Sequence, residues 1–452
     1  MDDMEKGNRL SVIKVGVVSL GCSKNRIDSE VMMGYLSQDG YSFTPDPNEA
    51  DIVVVNTCGF IEAAKEESID AILDMAQYKQ NGTCSTLVVT GCLAQRYRAE
   101  LQEEIPEIDV LIGVSEYEKL PALLNERYAS KKATRSLSYD RVLTTPAHYA
   151  YIRVAEGCDH HCSFCAIPAI RGPYRSRSMQ EILEEAETLQ KKGVKELIVI
   201  AQDTARYGMD LDGQKKLPEL LSQLAQLDFQ WIRLLYSYPE DIDDALLDVM
   251  CEHENIVKYL DMPIQHVDDR ILKRMNRRGN REYLTRLIQK IRNRHPDFII
   301  RTTCIVGFPG ETESEFQSLC DFIRAYPVDR MGVFAYSPED GTPAAKMPGQ
   351  IPAEIAQERL DRLMRIQQTI SKKRLQERMG KVYDVVIEEF DSQTHTYAGR
   401  SFAETPEIDG CIVVEAREGD SLEIGTFVSV NIVGSTEYDL IGKVVDKNEL
   451  AQ

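Results

Sequence analysis

Short β-branched runs alternate with amphipathic helical stretches along much of this 452-residue chain, and that alternation leaves few possible architectures. In the first series the runs are 14–20, 52–55 and 87–90, and helical patterns cover 28–38 and 63–78. Strands separated by helices are joined by right-handed crossovers and pair in parallel. The segment 12–130 is therefore predicted to be a parallel α/β domain.

A second series follows a polar stretch, 130–145, which is interpreted as a linker. Amphipathic stretches such as 179–192 and 313–325 separate the apolar runs of this series. The runs are 151–154, 197–200, 231–235, 257–260, 299–306 and 331–335. Six such units over about 190 residues predict a partial, TIM-like (β/α)6 barrel within 147–378, with ligands at the carboxyl ends of its strands.

The C-terminal part changes character. Residues 353–378 favour one long helix, and 382–445 show short strands with glycine-bearing turns and no helical period. This pattern predicts a small β-barrel within 380–446. The fold class is thus α/β, with an N-terminal parallel domain, a central partial barrel and a small C-terminal β-barrel.

Composition limits the location of the chain. No apolar run approaches the roughly 20 residues that cross a bilayer, and the opening MDDMEKGNRL lacks the basic and apolar regions of a signal peptide. A cytoplasmic protein without a membrane partner is expected. With 73 acidic against 53 basic residues, the net charge of −20 gives no general attraction for nucleic acid.

Three cysteines occur at close, fixed spacing in Cys158-Asp-His-His-Cys162-Ser-Phe-Cys165, just past the first barrel strand. Eleven cysteines in a reducing compartment favour metal ligation over disulfides. Three thiolates suit a [4Fe–4S] cluster with one iron free to bind a small molecule. A structural zinc site, with His160 or His161 as fourth ligand, is the alternative.

A second group of cysteines is visible once strands are placed, because Cys22, Cys58 and Cys92 each follow a predicted strand of the N-terminal sheet. The carboxyl ends of parallel strands lie at one edge, so these cysteines are expected to converge on a second three-thiolate cluster. Buried cysteines that act as small apolar residues are the alternative. Cys84, Cys251, Cys304, Cys320 and Cys411 are interpreted as packing residues.

Longer motifs distributed over 15–445 resemble the methylthiotransferases of the radical S-adenosylmethionine (SAM) superfamily, most specifically those that modify an aspartate of a ribosomal protein. The motifs are SLGCSKNRIDSE, NTCGFIEAAKEESI, GCLAQRY, EGCDHHCSFCAIPAIRGPYRSR, AQDTARYG, YLDMPIQH, MNRRG, VGFPGETE and MGVFAYSPEDGTPA. The resemblance implies an auxiliary-cluster domain, a radical SAM barrel and a C-terminal TRAM barrel.

The resemblance also implies cofactors and a reaction. Two [4Fe–4S] clusters are expected, an auxiliary cluster on Cys22, Cys58 and Cys92 and a SAM-binding cluster on Cys158, Cys162 and Cys165. One SAM would methylate sulfide on the auxiliary cluster, and a second would give the radical that removes hydrogen from the β-carbon of an aspartate. An electron donor and a sulfur source are further implied partners, and both open irons are expected to face one cavity.

Four further residues are candidates for SAM binding by the same resemblance. Phe164 matches an aromatic position whose backbone packs by the adenine. Gln202 and Asp203 follow the second barrel strand, where the methionine amine is held, and Gly307 follows the fifth strand, where backbone could approach the adenosine. A core aromatic, a helix cap and a turn are the ordinary explanations for Phe164, Asp203 and Gly307.

Charge bears on the substrate. Between 380 and 446 there are four basic and fourteen acidic residues, so direct RNA binding by the C-terminal barrel is not expected. An acidic domain instead suits a basic protein, and the resemblance implies the small-subunit ribosomal protein numbered twelve. The stretch 268–301 is basic, and Arg277 or Arg278 is a candidate for holding the substrate carboxylate or ribosomal RNA.

Two other functions stay open on the sequence. The related transfer-RNA adenosine methylthiotransferases share the cysteines and the architecture. A non-catalytic iron–sulfur electron carrier or a zinc-bearing scaffold belongs to another class, and it predicts no SAM cleavage.

Overall fold

The computed structural model describes residues 12–128, 141–417, 419 and 421–445. The chain divides into two compact units, Met1–Thr144 with Ala166–Gly172, and Thr145–Cys165 with Pro173–Gln452. The N-terminal eleven residues and most of the predicted linker, 130–145, lie outside the described residues. The bounds predicted for three domains stay a prediction, while the α/β class and the C-terminal barrel are confirmed.

The first unit is a five-stranded sheet in the order β2-β1-β3-β4-β5 with parallel neighbours. Its strands are β1 Lys14–Ser19, β2 Ser42–Phe43, β3 Ile52–Thr57, β4 Thr86–Gly91 and β5 Val110–Leu111. Its helices are α1 Ser23–Gln38, α2 Glu62–Ala76, α3 Tyr78–Asn81, α4 Cys92–Arg96, α5 Arg98–Glu104, α6 Leu120–Tyr128 and α7 Ile167–Arg171. Every residue of β3 and β4 is buried, which is typical of a parallel sheet covered by helices on both faces.

The second unit begins with a six-stranded sheet in the order β13-β12-β11-β10-β9-β6, in which all neighbours are parallel. The six strands of this sheet are β6 Tyr149–Arg153, β9 Glu196–Ile200, β10 Trp231–Leu234, β11 Ile256–Asp261, β12 Ile299–Val306 and β13 Arg330–Ala335. Two short strands, β7 Ala155–Glu156 and β8 Arg175–Ser176, form a separate two-stranded sheet. The helices are α8 Met179–Lys191, α9 Met209–Asp212, α10 Leu217–Leu224, α11 Asp244–Glu252, α12 Asp269–Arg274, α13 Arg281–Arg294, α14 Glu313–Ala325 and α15 Ala353–Gln376.

The same unit ends in a closed five-stranded barrel in the order β14-β15-β16-β18-β17. Its strands are β14 Val382–Asp391, β15 Thr396–Arg400, β16 Ile412–Glu415, β17 Phe427–Ser435 and β18 Leu440–Val444. Closure pairs every edge strand, which removes the unpaired edges that promote aggregation. The interior is filled by aliphatic side chains from the strands, among them Val385, Val414 and Ile432.

The connection between β15 and β16 packs against the large sheet of the same unit. The Tyr149 hydroxyl donates to Glu407 at 3.1 Å, the Tyr259 hydroxyl donates to Asp409 at 2.6 Å, and Arg233 donates to the Phe402 carbonyl at 2.8 Å. Tyr149 is the first residue of β6, and Glu196 and Arg330, which join the same network, are the first residues of β9 and β13. The segment 401–411 therefore lies at the amino end of the large sheet.

Ion pairs hold this contact together. Glu196 accepts from Arg233 at 2.6 Å and from Arg400 at 2.8 Å, and all three are buried. Glu404, 1% exposed, accepts from Arg330 at 3.0 Å and from Arg378 at 2.5 Å. Burial alone would raise the pKa of Glu404, but the two guanidinium groups lower it to about 2. The small barrel and the large sheet are thus joined by paired, desolvated charges.

None of the helices in the described residues is long and apolar enough to cross a membrane.

Candidate functional site

The first site is a cradle formed by three loops at the carboxyl edge of the N-terminal sheet. Cys22 is the N-cap residue of α1, Cys58 follows β3 directly, and Cys92 follows β4 as the first residue of α4. These strands are adjacent in the sheet, so the three cysteines lie at one edge. Their position after adjacent strands is as expected, and their convergence on one cluster stays a prediction.

Two glycines allow the loops to come this close. A Cβ atom on Gly21, where φ is +83°, would lie 2.8 Å from the Cys58 Cβ atom. A Cβ atom on Gly59 would lie 2.8 Å from the backbone nitrogen of Leu93, the residue after Cys92. Real Cβ atoms do not approach so closely, so each glycine lets one cysteine loop press against the next.

Burial sets the protonation of these thiols. It raises the pKa of Cys92 to about 12, with the Arg171 guanidinium opposing the rise, and it also raises the pKa of Cys58. A negative charge on Cys22 disfavours ionisation of both neighbours. Three clustered thiolates therefore require a compensating cation, and a metal centre supplies one.

The second site is the loop that carries Cys158, Cys162 and Cys165, after β7 in the second unit. The backbone NH of Ser163 donates to the Met275 carbonyl at 3.0 Å, and its hydroxyl donates to the Arg274 carbonyl at 2.8 Å. These contacts hold the middle of the loop against the end of α12. Burial raises the pKa of Cys158 to about 11.

An aromatic stack supports the same loop. The His160 ring lies on Tyr238 with centroids 3.7 Å apart, and the Arg277 guanidinium lies 3.5 Å from the centroid of the Tyr238 ring. The Tyr238 hydroxyl is 3.4 Å from the Cys162 sulfur. Tyr238 thus contacts a predicted cluster ligand directly. It was absent from the sequence prediction, although it follows β10 at the expected edge.

Asp203 holds this stack in place. It is fully buried, one carboxylate oxygen lies 2.5 Å from His160 Nε2, and the other accepts from the backbone NH groups of Ala205 and Tyr238. Both oxygens are therefore engaged with protein groups. The predicted contact of Asp203 with the methionine amine stays a prediction, and in the structure this carboxylate orients the cysteine loop through His160.

His160, Asp203 and Asp241 also place three ligand atoms within 4.8 Å of one another. Asp241 already pairs with Arg278 at 2.6 Å and with Lys215 at 3.3 Å. Two cations thus neutralise this group, and it carries no metal assignment here.

Unsatisfied polar atoms mark the carboxyl edge of the large sheet. Within the described residues, Gln202 Oε1, Gln265 Oε1 and the Tyr336 hydroxyl are buried and have no hydrogen-bond partner. They follow β9, β11 and β13 respectively. Buried polar groups are normally paired, and other buried unpaired atoms of this unit, among them Arg233 Nη2 and Thr405 Oγ1, lie at the amino end of the sheet. The predicted contact of Gln202 with SAM stays a prediction, and Gln265 and Tyr336, which were absent from the sequence prediction, are further candidates at the carboxyl edge.

The remaining predicted SAM residues, Phe164 and Gly307, lie in packed surroundings. Phe164 is partly buried and packs on an apolar cluster that includes Phe308 and Met275, next to Tyr336. Gly307 has φ of +72°, and a Cβ atom there would lie 2.4 Å from Ala356 Cβ, so the residue is required for packing against α15. The predicted contacts of Phe164 and Gly307 with adenosine stay predictions.

The two basic candidates differ. Arg277 is buried, and it donates to the Pro263 carbonyl at 2.8 Å while stacking on Tyr238. Its guanidinium is engaged in supporting the cysteine loop. Arg278 is more than half exposed along its side chain and pairs with Asp241. Of the two, Arg278 is the one whose surface position suits contact with a substrate.

Comparison with known proteins places this chain in a family. Residues 14–113 match uncharacterized protein family UPF0004, 152–323 match the radical SAM superfamily, and 379–445 match the TRAM domain. The chain is 49% identical over 448 residues to ribosomal protein uS12 methylthiotransferase RimO from Clostridium tetani (strain Massachusetts / E88), covering 97% of this chain and 100% of that one. The chain belongs to the ribosomal protein uS12 methylthiotransferase family.

Another member of the family, from Acetivibrio thermocellus, is 46% identical over 451 residues, with 96% and 99% of the two chains covered. The predicted family resemblance is confirmed, and the chain is a radical SAM methylthiotransferase. Among solved structures, the radical SAM methyltransferase TsrM from Kitasatospora setae superposes with a TM-score of 0.55 at 15% identity, covering 74% of this chain and 77% of that one. That likeness concerns the fold alone.

Proposed function

We propose that this enzyme transfers a methylthio group to the β-carbon of an aspartate in ribosomal protein uS12. Two observations together carry the proposal. The chain has two groups of three cysteines, and it is 49% identical, over 97% of its length, to a member of this family. The proposed ligands are Cys22, Cys58 and Cys92 for one [4Fe–4S] cluster and Cys158, Cys162 and Cys165 for the other. A ribosomal substrate would place the enzyme in the cytoplasm.

The ligand set favours a cluster over zinc at the Cys158, Cys162 and Cys165 loop. A structural zinc site closes with four protein ligands. Of the two candidates for a fourth ligand, His160 has its Nε2 atom 2.5 Å from Asp203 and its ring stacked on Tyr238. Three thiolates suit a [4Fe–4S] cluster that keeps one iron open.

The chemistry itself requires such cofactors. A β-hydrogen of an aspartate is not acidic enough for removal by a protein base, so general acid–base catalysis does not suffice. When bound, SAM and the clusters would supply the methyl group, the hydrogen-abstracting radical and the sulfur that is transferred. The chain contributes thiolates for the clusters, orphan acceptors for the SAM amine, and the Tyr238 stack that orients the cysteine loop.

Charge favours a protein substrate. The small barrel has fourteen acidic and four basic residues within 380–446. One of the four, Arg400, is already paired with Glu196 and Glu388. A basic ribosomal protein would be attracted to this domain, and a phosphate backbone would be repelled. An electron donor and a sulfur source complete the proposed partners.

A direct assay separates the candidate substrates. The enzyme, reconstituted anaerobically with iron and sulfide, is incubated with SAM, a reductant and either purified uS12 or unmodified transfer RNA. We expect a methylthio mass increase on one aspartate of uS12 and none on the RNA. Modification of an adenosine instead would establish the transfer-RNA function, and the absence of 5′-deoxyadenosine with either substrate would favour the non-catalytic alternative.

Gln202 provides a specific test of the SAM site. Because its buried oxygen has no partner among the described residues, we expect it to accept a hydrogen bond from the SAM amine. Hydrogen bonds to charged groups contribute about 1.5–3 kcal/mol, so Gln202→Leu should weaken SAM binding roughly 10- to 100-fold. Equilibrium dialysis with labelled SAM measures this. Gln223→Leu, on the exposed surface of α10, is the control, and equal affinities for the two variants would refute the assignment.

A further inference from the structure

An arginine contacts the Cys22, Cys58 and Cys92 cradle from a distant part of the chain. Arg171 ends α7, whose segment Ala166–Gly172 belongs to the first compact unit. Its side chain is 2% exposed, pairs with Asp28 at 2.9 Å and donates to Asn25 Oδ1 at 2.7 Å. Its Nη2 atom lies 3.5 Å from the Cys92 sulfur. A buried, permanently charged group therefore stands beside one proposed cluster ligand.

Asn25 connects this arginine to the other two cysteine loops. Its amide donates to the carbonyl of Leu20 at 3.1 Å and to that of Thr57 at 2.8 Å. Those carbonyls precede Cys22 by two residues and Cys58 by one. The Asn25 oxygen, which accepts from Arg171, also lies 3.5 Å from the Cys92 sulfur. One side chain thus touches all three loops, and Arg171 fixes its orientation.

The positive end of the Arg171–Asp28 pair lies beside Cys92. The Nη2 atom of Arg171 is 3.5 Å from the Cys92 sulfur and 2.9 Å from Asp28 Oδ2. The guanidinium is therefore directed at the sulfur, and Asp28 holds it there.

We propose that Arg171 is a positioning residue that raises the reduction potential of the cluster held by Cys22, Cys58 and Cys92. This inference depends on the proposed function, because it requires a cluster at that cradle. Hydrogen bonds and charges near the sulfur ligands are among the factors that set cluster potentials. A reduced cluster carries one more negative charge, so a nearby guanidinium stabilises it, and Asp28 partly offsets that effect.

The two partners should shift the potential in opposite directions. The background is the full-length chain with Cys158, Cys162 and Cys165 replaced by Ala, reconstituted anaerobically so that only the cradle carries iron. Reductive titration followed by electron paramagnetic resonance gives the potential. We expect Arg171→Gln to lower it and Asp28→Asn to raise it. Arg171→Lys keeps the charge, so its reduction potential should lie closer to that of the parent. Arg98→Gln replaces an exposed arginine of the same unit and should leave the potential unchanged.

The outcomes are separable. Unchanged potentials in Arg171→Gln and Asp28→Asn at full iron content would overturn the inference while leaving the proposed function intact. Two results would show that Arg171 only supports the fold of the cradle. In the first, Arg171→Gln and Asp28→Asn shift the reduction potential in the same direction. In the second, both Arg171 variants lose iron, and the chains that retain iron have an unchanged potential. If the background chain binds no iron at all, the auxiliary cluster, and with it that part of the proposed function, is wrong.

Discussion

Replacing Cys162 with alanine is expected to abolish reductive cleavage of SAM and to lower the iron content from about eight to about four per chain. Cys162 is the most buried cysteine of its loop, and its sulfur contacts the Tyr238 hydroxyl at 3.4 Å. Without this ligand the proposed cluster would lose one of its three protein bonds. Iron analysis and chromatographic detection of 5′-deoxyadenosine after anaerobic reconstitution measure both effects.

Cys251→Ala is the matched control for this experiment. Cys251 lies in α11 of the same unit, is partly exposed, and belongs to neither predicted triad. Its replacement should leave iron content and SAM cleavage unchanged. Full iron and normal cleavage in the Cys162 variant would remove the proposed cluster from that loop, and the same loss in both variants would point to general damage by cysteine replacement.

Replacing Glu404 with alanine should strongly destabilise the second unit. The change leaves the buried Arg378 and its neighbour Arg330 without their shared carboxylate. Breaking a buried ion pair by removing one partner costs roughly 3–5 kcal/mol of unfolding free energy. The only tryptophan of the chain, Trp231 in β10, packs edge-on against Phe427 of the small barrel at 4.7 Å, so its fluorescence during urea denaturation reports on this contact.

Glu437→Ala is the control for stability, because Glu437 pairs with Lys372 on the surface of the same unit. Exposed pairs contribute little to stability, so the change in unfolding free energy should be small. A Glu404 variant as stable as the Glu437 variant would contradict a stabilising role for the buried pairs.

Lowering the pH should weaken the buried ion pairs of the second unit and so lower its free energy of unfolding. The folded-state pKa values of Glu404 and Glu388 are lowered to about 2 against burial, by arginines for Glu404 and by His148 and Arg400 for Glu388. A carboxylate with a lowered folded pKa stabilises the fold above its ordinary pKa near 4.5, and that stability is lost as pH falls toward 2. Unfolding free energy should therefore decline over this window, less steeply in Glu404→Ala than in the parent.

Much of the fold follows from patterns of apolar residues. The predicted helix over 313–325 matches α14, and the predicted run 299–306 matches β12. The apolar residues of α14 recur at helical spacing, and β12 is rich in β-branched residues. The cysteines could also be placed, because each stands beyond the end of a buried strand. Such positions depend on local sequence, which is why they can be predicted.

Polar contacts between distant segments could not be predicted in this way. Helix α1 begins at Ser23, five residues before the predicted start, because its first turns bury Asn25, Asp28 and Glu30. These polar residues interrupt the apolar spacing that predicts a helix. They can be buried because distant groups hydrogen-bond to them, such as Arg171 to Asn25 and the Thr144 backbone NH to Glu30. Likewise, the sequence around Tyr238 does not predict that its ring stacks with His160 and Arg277, because both partners are distant in the chain.

The segment 401–411 has a consequence for how the chain is made. Because it supplies partners of Arg233, Tyr259 and Arg330, these side chains gain those contacts only once the segment has left the ribosome and docked. A chain cut after α15 would lose all three contacts, and the Arg330 guanidinium would lose the Glu404 carboxylate. Such a fragment should be an early target for chaperones and proteases.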